Sequence, residues 1–441
     1  MPFTDEQPFL DAIAARYSDD GPRLLYADFL DDAGEHERAE LIRIQITLAR
    51  LREAHPRIPE LAEREAELHL PCSAHWKEQF GELVEDIEFR RGVPHSISVN
   101  AASFLESGEQ LFRVARIRRI RLLGVFSVLP QLIESPLLSS VRELDLCGEE
   151  LGNSGLLLLI RSPFLTELEA LDLGFNGLDD AGIIALAAAS TLVNLTSLSL
   201  NDNKIITSVG IAAIAESPFF AGLTVLDLSG NSIDSHGVRA LTAVKVFPRL
   251  HSLRLKGNPI EDDGLGVLLE SPLFGRMVER SPRVELRDND LGPDGATLLA
   301  NCLLLAGCTA LDLTGNFIGD RGFAALMTSP HLGAVHTLRL GGNQITDAGV
   351  TSMRRHLPAL LARLRVLDLS ENRLTKYGIG VLLASRGESG VEPEVSGNVQ
   401  SANDGEPPVA VGEVMPDVLR NLAEAAELRR RISNPRMLPR S

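Results

Sequence analysis

The sequence predicts an α/β fold in which short parallel strands alternate with helices along a right-handed solenoid. Three observations predict it: a strand-like phrase recurs nine times every 27 to 31 residues, asparagine ends nearly every copy, and a glycine-containing helical stretch follows each copy. A period this regular over residues 141–385 indicates one stacked architecture rather than several separate domains. The copies begin at Leu144, Leu171, Leu198, Leu226, Leu253, Val284, Leu311, Leu338 and Leu367.

The common phrase of the copies is Leu-x-Leu-x-x-Asn, preceded by another apolar residue. The Leu-x-Leu alternation has the two-residue period of a strand with one buried face. The Asn side chain can replace missing backbone partners where the chain turns, so we expect stacked copies to form an asparagine ladder.

The helix after each strand carries a glycine at a fixed offset, from Gly155 in the first copy to Gly378 in the last. A residue without Cβ at a fixed place predicts close packing. Strands stack about 4.8 Å apart, whereas packed helices need about 8–10 Å. We therefore expect a horseshoe with parallel strands on its concave face and helices on its convex face.

This strand–helix repeat resembles the ribonuclease-inhibitor subtype of leucine-rich repeats. The sequence departs from the pattern at Glu149, which replaces the first Asn, and at the extra residues before Val284, around 275–280, where we expect a bulge. Pro393–Asn398 reads as a last, degenerate turn. We predict the repeats over residues 93–385, with the strong copies at 141–385.

The N-terminal sequence DDGPRLLYADFLDDAG, followed by RAELIRIQ, resembles a small repeat-companion domain found ahead of leucine-rich repeats in certain bacterial proteins. We place this helical domain at 1–55 and a helical linker or cap at 56–92. A flexible acidic segment rich in Gly, Pro and Ser follows the repeats at 386–416, and a C-terminal helix and tail at 417–441. We expect the polar residues of the first domain to form internal salt bridges: Arg23, Tyr26, Asp28, Arg38, Glu40 and Arg43.

Composition disfavours several classes of binding partner and several cellular locations. The net charge of −17 disfavours nucleic acids and anionic membranes as partners. Apolar runs are too short for a transmembrane helix, and the N-terminus lacks the features of a secretory signal. The four cysteines follow no metal-ligand spacing. We therefore expect a cytoplasmic monomer.

No motif indicates catalysis: P-loop, zinc-protease, nucleophile-elbow and Cys–His patterns do not occur in the sequence. Acid pairs such as Asp179–Asp180 stand where helices begin, which favours a capping role. We therefore predict a non-enzymatic protein without a cofactor, a metal site or catalytic residues.

The variable residues between the leucines point away from the core and carry charge. Along the predicted concave face an acidic stretch gives way to a basic one, a pattern that favours a protein partner with a charged surface. The candidate partner-binding residues are Arg121, Asp145, Asp172, Asp227, Arg254, Lys256, Arg287 and Arg339.

The leading hypothesis is a scaffold that binds a partner protein on the concave face, because well-known proteins that this repeat resembles act in that way. Ran GTPase-activating proteins share the repeat subtype, so an alternative is GTPase activation through a loop arginine near Arg116 and Arg118. A further alternative is an architectural repeat protein without a dedicated ligand.

Overall fold

The computed structural model describes residues 6–51, 55–115, 117–243, 247–387 and 390–398. These residues fall into two compact units, 6–128 and 129–398. The domain boundaries given above remain predictions. The predicted C-terminal helix lies outside the described residues, as does the predicted acidic segment from residue 399 onward.

The N-terminal unit consists of four helices, a three-stranded sheet and two short helices. Strands β1 and β2 pair antiparallel, and β2 pairs with β3 in parallel. The elements are α1 (Gln7–Ala15), α2 (Gly21–Asp32), α3 (His36–Arg50), α4 (Ile58–Phe80), β1 (Val84–Arg90), β2 (Val93–Asn100), α5 (Ala101–Ser107), α6 (Glu109–Val114) and β3 (Arg119–Leu123).

The expected helical linker or cap at 56–92 is wrong in its last part, because residues 84–90 form strand β1. The missed signal is the turn chemistry of Arg91 and Gly92, whose φ angles are +53° and +78°. Positive φ at both central residues is the geometry of a two-residue hairpin turn. A side chain at position 92 would also overlap Ile42 of α3, so only glycine fits there.

Internal ion pairs tie the first helices together, as the sequence predicted for Asp28, Arg38, Glu40 and Arg43. Of the other two predicted residues, Arg23 donates to the Asp19 carbonyl and Tyr26 donates to the Glu6 carboxylate. Arg38 is 4% exposed, and its guanidinium donates two hydrogen bonds to the Glu6 carboxylate, at 2.9 and 2.6 Å. Burial opposes ionisation of Glu6, but hydrogen bonds from Arg38 and Tyr26 outweigh it and lower the pKa of the carboxyl. Further pairs include Arg43 with Asp28 and Asp31, and Arg64 with Glu40.

The second unit is built from the repeated strand–helix phrase, and it confirms the predicted α/β solenoid. Strands β4 to β8 pair in parallel in chain order, as do β9 to β12. The strands are β4 (Glu143–Asp145), β5 (Ala170–Asp172), β6 (Ser197–Ser199), β7 (Val225–Asp227), β8 (Ser252–Arg254), β9 (Arg283–Glu285), β10 (Ala310–Asp312), β11 (Thr337–Arg339) and β12 (Val366–Asp368).

Helices follow the strands, and several are joined to the next strand by short 3-10 turns. The helices are α7 (Leu129–Leu132), α8 (Gly152–Leu159), α9 (Asp180–Ala187), α10 (Ser208–Glu216), α11 (Ser235–Thr242), α12 (Glu261–Glu270), α13 (Pro272–Arg280), α14 (Pro293–Asn301), α15 (Gly319–Met327), α16 (Asp347–Ser352), α17 (Leu357–Arg363) and α18 (Lys376–Ala384).

The repeat register is set by the leucines. Wherever two neighbouring strands pair, the first apolar residue of one phrase lies opposite its counterpart in the next, for example Leu144 opposite Leu171 and Leu311 opposite Leu338. These side chains are buried, and the residues on either side of them in each strand face away from the core. Because side chains alternate along a strand, this register gathers the variable residues on one side of the ribbon.

Candidate functional site

The candidate site is the strand face, which we define as the outward side chains of β4–β12 and of the residue two positions beyond each strand. The middle residue of the Leu-x-Leu phrase ends each strand and lies on this face. At five strands it is an aspartate: Asp145, Asp172, Asp227, Asp312 and Asp368.

Each of these aspartates has a local structural role. Its Oδ1 accepts a hydrogen bond from the backbone N–H two residues ahead, and the distance from Asp227 to Ser229 is 3.0 Å. The equivalent bonds are Asp145 to Cys147, Asp172 to Gly174, Asp312 to Thr314 and Asp368 to Ser370, at 2.9 to 3.1 Å. An aspartate that bonds its own backbone two residues on stabilises a turn. The acidic column therefore shapes the turns, in addition to any recognition role.

Two ion-pair groups lie on the strand face. Arg254 on β8 reaches Asp227 on β7, with Nη1 and Oδ2 3.1 Å apart. Asp312 on β10 lies between Arg287 and Arg339, with its Oδ2 3.9 Å from an Nη1 of each. The three guanidiniums remain between 40 and 61% exposed, whereas the two carboxylates are at most 16% exposed. The positive groups are therefore the ones that a partner can reach.

The other predicted contact residues differ in accessibility. Lys256 is exposed, and no ion pair is found for it among the described residues. Asp172 is half-buried, and Asp145 is only 6% exposed, which leaves its carboxylate little surface for a partner. Arg121 is a half-buried residue of β3 in the N-terminal unit, and its Nε is buried without a hydrogen-bond partner.

Sequence reasoning did not select Asp312, which organises two of the selected arginines. Its pairing with Arg287 and Arg339 depends on neighbouring strands being in register, and the column of middle residues was the only sequence signal for it.

The predicted asparagine ladder lies directly beneath the turns. Asn316 is buried, and its Nδ2 donates to the carbonyls of Leu286 and Leu313, both at 2.8 Å. Its Oδ1 accepts the N–H groups of Asn289 and Leu291, both at 3.0 Å. Nine asparagines, from Asn176 to Asn398, each donate to a leucine carbonyl of the preceding repeat. The turns that carry the strand face are therefore held from below, repeat by repeat.

A second ladder joins the helix starts, where the sequence predicted capping carboxylates. Asp180, in the first turn of α9, accepts the backbone N–H of Thr207 at 2.8 Å and its hydroxyl at 2.6 Å. Asp347 binds Thr375 in the same way. A side chain at Gly378 would overlap that Asp347 carboxylate, which explains the glycine at this offset. The acid pairs are therefore structural groups at the helix ends.

Hydrogen bonds lower the pKa of two other carboxyls at helix starts, Asp179 and Asp234. The Ser208 hydroxyl donates to Asp234 at 2.5 Å and, with backbone N–H groups, holds the pKa of that carboxyl below its usual value. Hydrogen bonds from Asn153 and from backbone N–H groups do the same for the pKa of Asp179. Both groups are therefore ionised at neutral pH.

The described residues contain no cluster of His, Cys, Asp and Glu that could hold a metal ion. None of the four cysteines forms a disulfide, and burial raises the pKa of the Cys308 thiol. Of the two arginines weighed for GTPase activation, Arg116 lies outside the described residues, and the Arg118 guanidinium stacks 5.0 Å above the Tyr17 ring. Over the described part of the chain, we find no helix of the length and apolarity that crossing a bilayer requires.

Comparison with known proteins adds the following. The family described as Leucine Rich repeat matches residues 165–187, 191–215, 223–241, 249–269, 309–327 and 335–353. Among solved structures, the chain is similar to an internalin of Listeria monocytogenes with 22% identity, a TM-score of 0.39 and coverage of 65% of this chain and 68% of that one. No curated protein matches. The family matches fall on the repeats described above, and the chain therefore contains leucine-rich repeats.

Proposed function

We propose that this chain is a non-enzymatic scaffold that binds a partner protein on the strand face of its repeats. The observation that carries the proposal is the group of accessible cations on that face, Arg254, Lys256, Arg287 and Arg339, in a chain with a net charge of −17. Charge of one sign gathered on one surface favours a complementary partner and speeds its encounter.

The hydrogen-bonded backbone beneath the strand face supports the use of this face as a binding surface. Both ladders satisfy turn and helix-end groups between neighbouring repeats, so the outward residues can vary without loss of buried hydrogen bonds. Leucine-rich-repeat proteins are typically protein-interaction scaffolds, and the fold supports that class of function. The aspartates stabilise the turns, so we assign partner contact mainly to the arginines and Lys256.

The test reverses charge at two exposed arginines, Arg254→Glu with Arg287→Glu. The matched control is Arg321→Glu on α15, because Arg321 is 70% exposed and is also ion-paired, to Asp294 at 2.6 Å. Proteins captured by the wild type are identified, purified and titrated by calorimetry against all three forms. We expect the double variant to bind at least about tenfold more weakly, since each charge pair contributes up to about 1 kcal/mol and reversal adds repulsion. Equal affinity for all three forms would refute the proposal.

This proposal also covers the subtype of the repeats, the type of the N-terminal domain, and the location and oligomeric state of the protein. We propose that the repeats are of the ribonuclease-inhibitor subtype, because strands alternate with α-helices at steps of 27 to 31 residues. We propose that residues 1–55 are a repeat-companion domain of bacterial type, on the sequence resemblance given above. We also propose a monomer in the cytoplasm; the location is in keeping with four cysteines that form no disulfide.

A further inference from the structure

Arg23 is a buried cation without a carboxylate partner. It lies in the first turn of helix α2 in the N-terminal unit and is 1% exposed. Its Nη1 donates to the Asp19 carbonyl at 2.9 Å, whereas its Nε is buried without a hydrogen-bond partner. Within the described ranges, no ion pair to a carboxylate is found for it. A buried charge that is not paired is costly, and a buried donor left unsatisfied requires an explanation.

The helix end and the neighbouring charges make this position still less favourable for a cation. The first turn of a helix carries the positive end of the helix dipole, and α2 has no acidic residue there. Burial lowers the pKa of Arg23, and the charges of Arg91 and Arg90 lower it further. Tyr17 and Asp20 raise it, but the net shift of the pKa is downward. The guanidinium nevertheless stays charged at neutral pH.

Three arginine side chains meet at the ring of Tyr17, which follows helix α1. The Cζ atoms of Arg23 and Arg118 both lie 5.0 Å from the ring centroid. The Cζ of Arg90, the last residue of β1, lies 5.8 Å from it. A guanidinium can stack on an aromatic face and still present its planar fork of N–H donors. We call Arg23, Arg90, Arg91 and Arg118 the arginine cluster.

Two carboxylates belong to the same part of the fold, and both are engaged. Asp20 serves two arginines, since its Oδ1 lies 2.8 Å from Nη1 of Arg91 and its Oδ2 lies 2.6 Å from Nη2 of Arg50. The Asp19 carboxylate accepts the backbone N–H two residues ahead at 2.9 Å. Arg90 is exposed, and among the residues that the structure describes it has no ion pair. Arg90, like the buried Arg23, is therefore not neutralised by a described carboxylate.

We propose that the arginine cluster binds a phosphate dianion, either free phosphate or the monoester of a small molecule. Several guanidiniums at one place match an anion with more than one charge and three acceptor oxygens, whereas a carboxylate has one charge and two oxygens. The N-terminus of α2 favours the same occupant, because the helix dipole there attracts phosphate. A phosphate held by Arg90 and Arg91 places negative charge beside Arg23 and offsets the cost of its burial. This site does not depend on the proposed strand-face function.

The test is a calorimetric titration of the full chain with inorganic phosphate and with glycerol phosphate, and acetate at equal ionic strength is the control anion. The variant is Arg90→Ala. The matched control is Arg57→Ala, because Arg57 is an exposed arginine of the same unit. We expect Arg90→Ala to bind phosphate at least about tenfold more weakly, since a charged hydrogen bond is lost, and the control to bind as the wild type does. Equal affinity of the two variants would overturn the site.

A second variant, Arg23→Met, separates a ligand site from a purely structural role. Met has a similar length without the charge, so removal of the unpaired buried cation should leave the melting temperature without phosphate unchanged or higher. The affinity for phosphate should fall at least about tenfold. If Arg23→Met lowered the melting temperature and kept the phosphate affinity of the wild type, Arg23 would be a structural residue and the proposal would be wrong.

Chemical modification of the wild type provides a readout that needs no variant. Phenylglyoxal reacts with accessible arginines, and mass spectrometry compares Arg90 with Arg57, which are both exposed. Phosphate at about ten times its Kd should slow the modification of Arg90 about tenfold and leave that of Arg57 unchanged. The same modification rate of Arg90 with and without phosphate would count against the arginine cluster as the binding place.

Competing ligands decide whether the site is specific for small phosphates. If acetate binds as tightly as phosphate, the cluster is a general anion site and the assignment to phosphate is wrong. If a single-stranded oligonucleotide binds at least about tenfold more tightly than phosphate, the cluster reads a nucleic-acid backbone, and the small-molecule assignment is overturned. Failure of phosphate to bind leaves the strand-face proposal intact, because that proposal is tested at Arg254 and Arg287.

Discussion

Removal of one asparagine side chain from the ladder should cost more than any surface change on the repeats. Asn316→Ala deletes four buried hydrogen bonds, two donated by Nδ2 and two accepted by Oδ1. At about 1 kcal/mol net for each bond, the free energy of unfolding should fall by about 4 kcal/mol. The loss can be larger, because the orphaned backbone groups stay buried.

Two other asparagines, Asn231 and Asn194, serve as controls because their side chains make fewer hydrogen bonds than that of Asn316. Asn231 also donates to carbonyls of two neighbouring repeats, at 3.0 and 2.9 Å, but its Oδ1 is buried without a partner. Asn231→Ala should therefore cost about 2 kcal/mol, half as much. Asn194 is exposed and donates one bond to Thr166, so Asn194→Ala should cost less than about 1 kcal/mol.

Urea unfolding followed by circular dichroism measures all three variants against the wild type. The expected order of destabilisation is Asn316, then Asn231, then Asn194. If Asn316→Ala and Asn194→Ala lowered the free energy of unfolding by the same amount, the ladder would not be a principal stabilising feature, and the reasoning would be refuted.

Three further predictions concern the core, the helix contacts and pH. Leu226→Asp should lower the unfolding free energy by at least about 3 kcal/mol, because Leu226 is fully buried, whereas Asp227→Ala loses one turn hydrogen bond and the ion pair with Arg254, together about 1 to 2 kcal/mol; equal melting temperatures would contradict the strand assignment. Gly378→Ala should destabilise through overlap with Asp347 of helix α16, while Gly275→Ala, with open space around it, should stabilise by up to about 1 kcal/mol. Thermal melts of the two alanine variants test this, and matching shifts would argue against close helix contact. Because the folded pKa of Asp234 is depressed, its stabilisation is complete above the unfolded value of about 3.9 and is lost as pH falls through the folded value. Asp234→Asn should therefore lose less stability than the wild type between pH 5 and pH 3 in urea titrations, and a loss as large as that of the wild type would count against the hydrogen-bonded carboxylate.

The solenoid was predictable because its signals are local and repeated. Leu-x-Leu specifies a half-buried strand wherever it occurs, and nine copies remove the ambiguity of a single short strand. The asparagine ladder was predictable for the same reason, because an asparagine stands at the same place in nearly every copy. Strand β1 was missed because residues 84–90 are mostly charged, and the hairpin depends on two residues with positive φ.

The candidate site was predictable only in part. The sequence alone placed Arg254 and Lys256 on the outward side, because the direction of their side chains follows from the two-residue period of a strand. The burial of Asp145, the pairing of Asp312 with two arginines and the break in strand pairing between β8 and β9 depend on contacts between repeats. The insertion near residue 280 predicted a bulge, but a bulge in the sequence does not reveal which strands lose their hydrogen bonds.

The direction of the asparagine ladder has a consequence for synthesis of the chain. Asn343 and Asn372 complete the turns of the repeats before them, so each repeat needs a side chain that the ribosome adds about 27 residues later. A nascent chain should therefore carry one incomplete repeat at its growing end, and folding should trail translation by one period. Among the described residues, Asn398 is the last asparagine of the ladder, and it accepts the Leu374 N–H of the repeat before it.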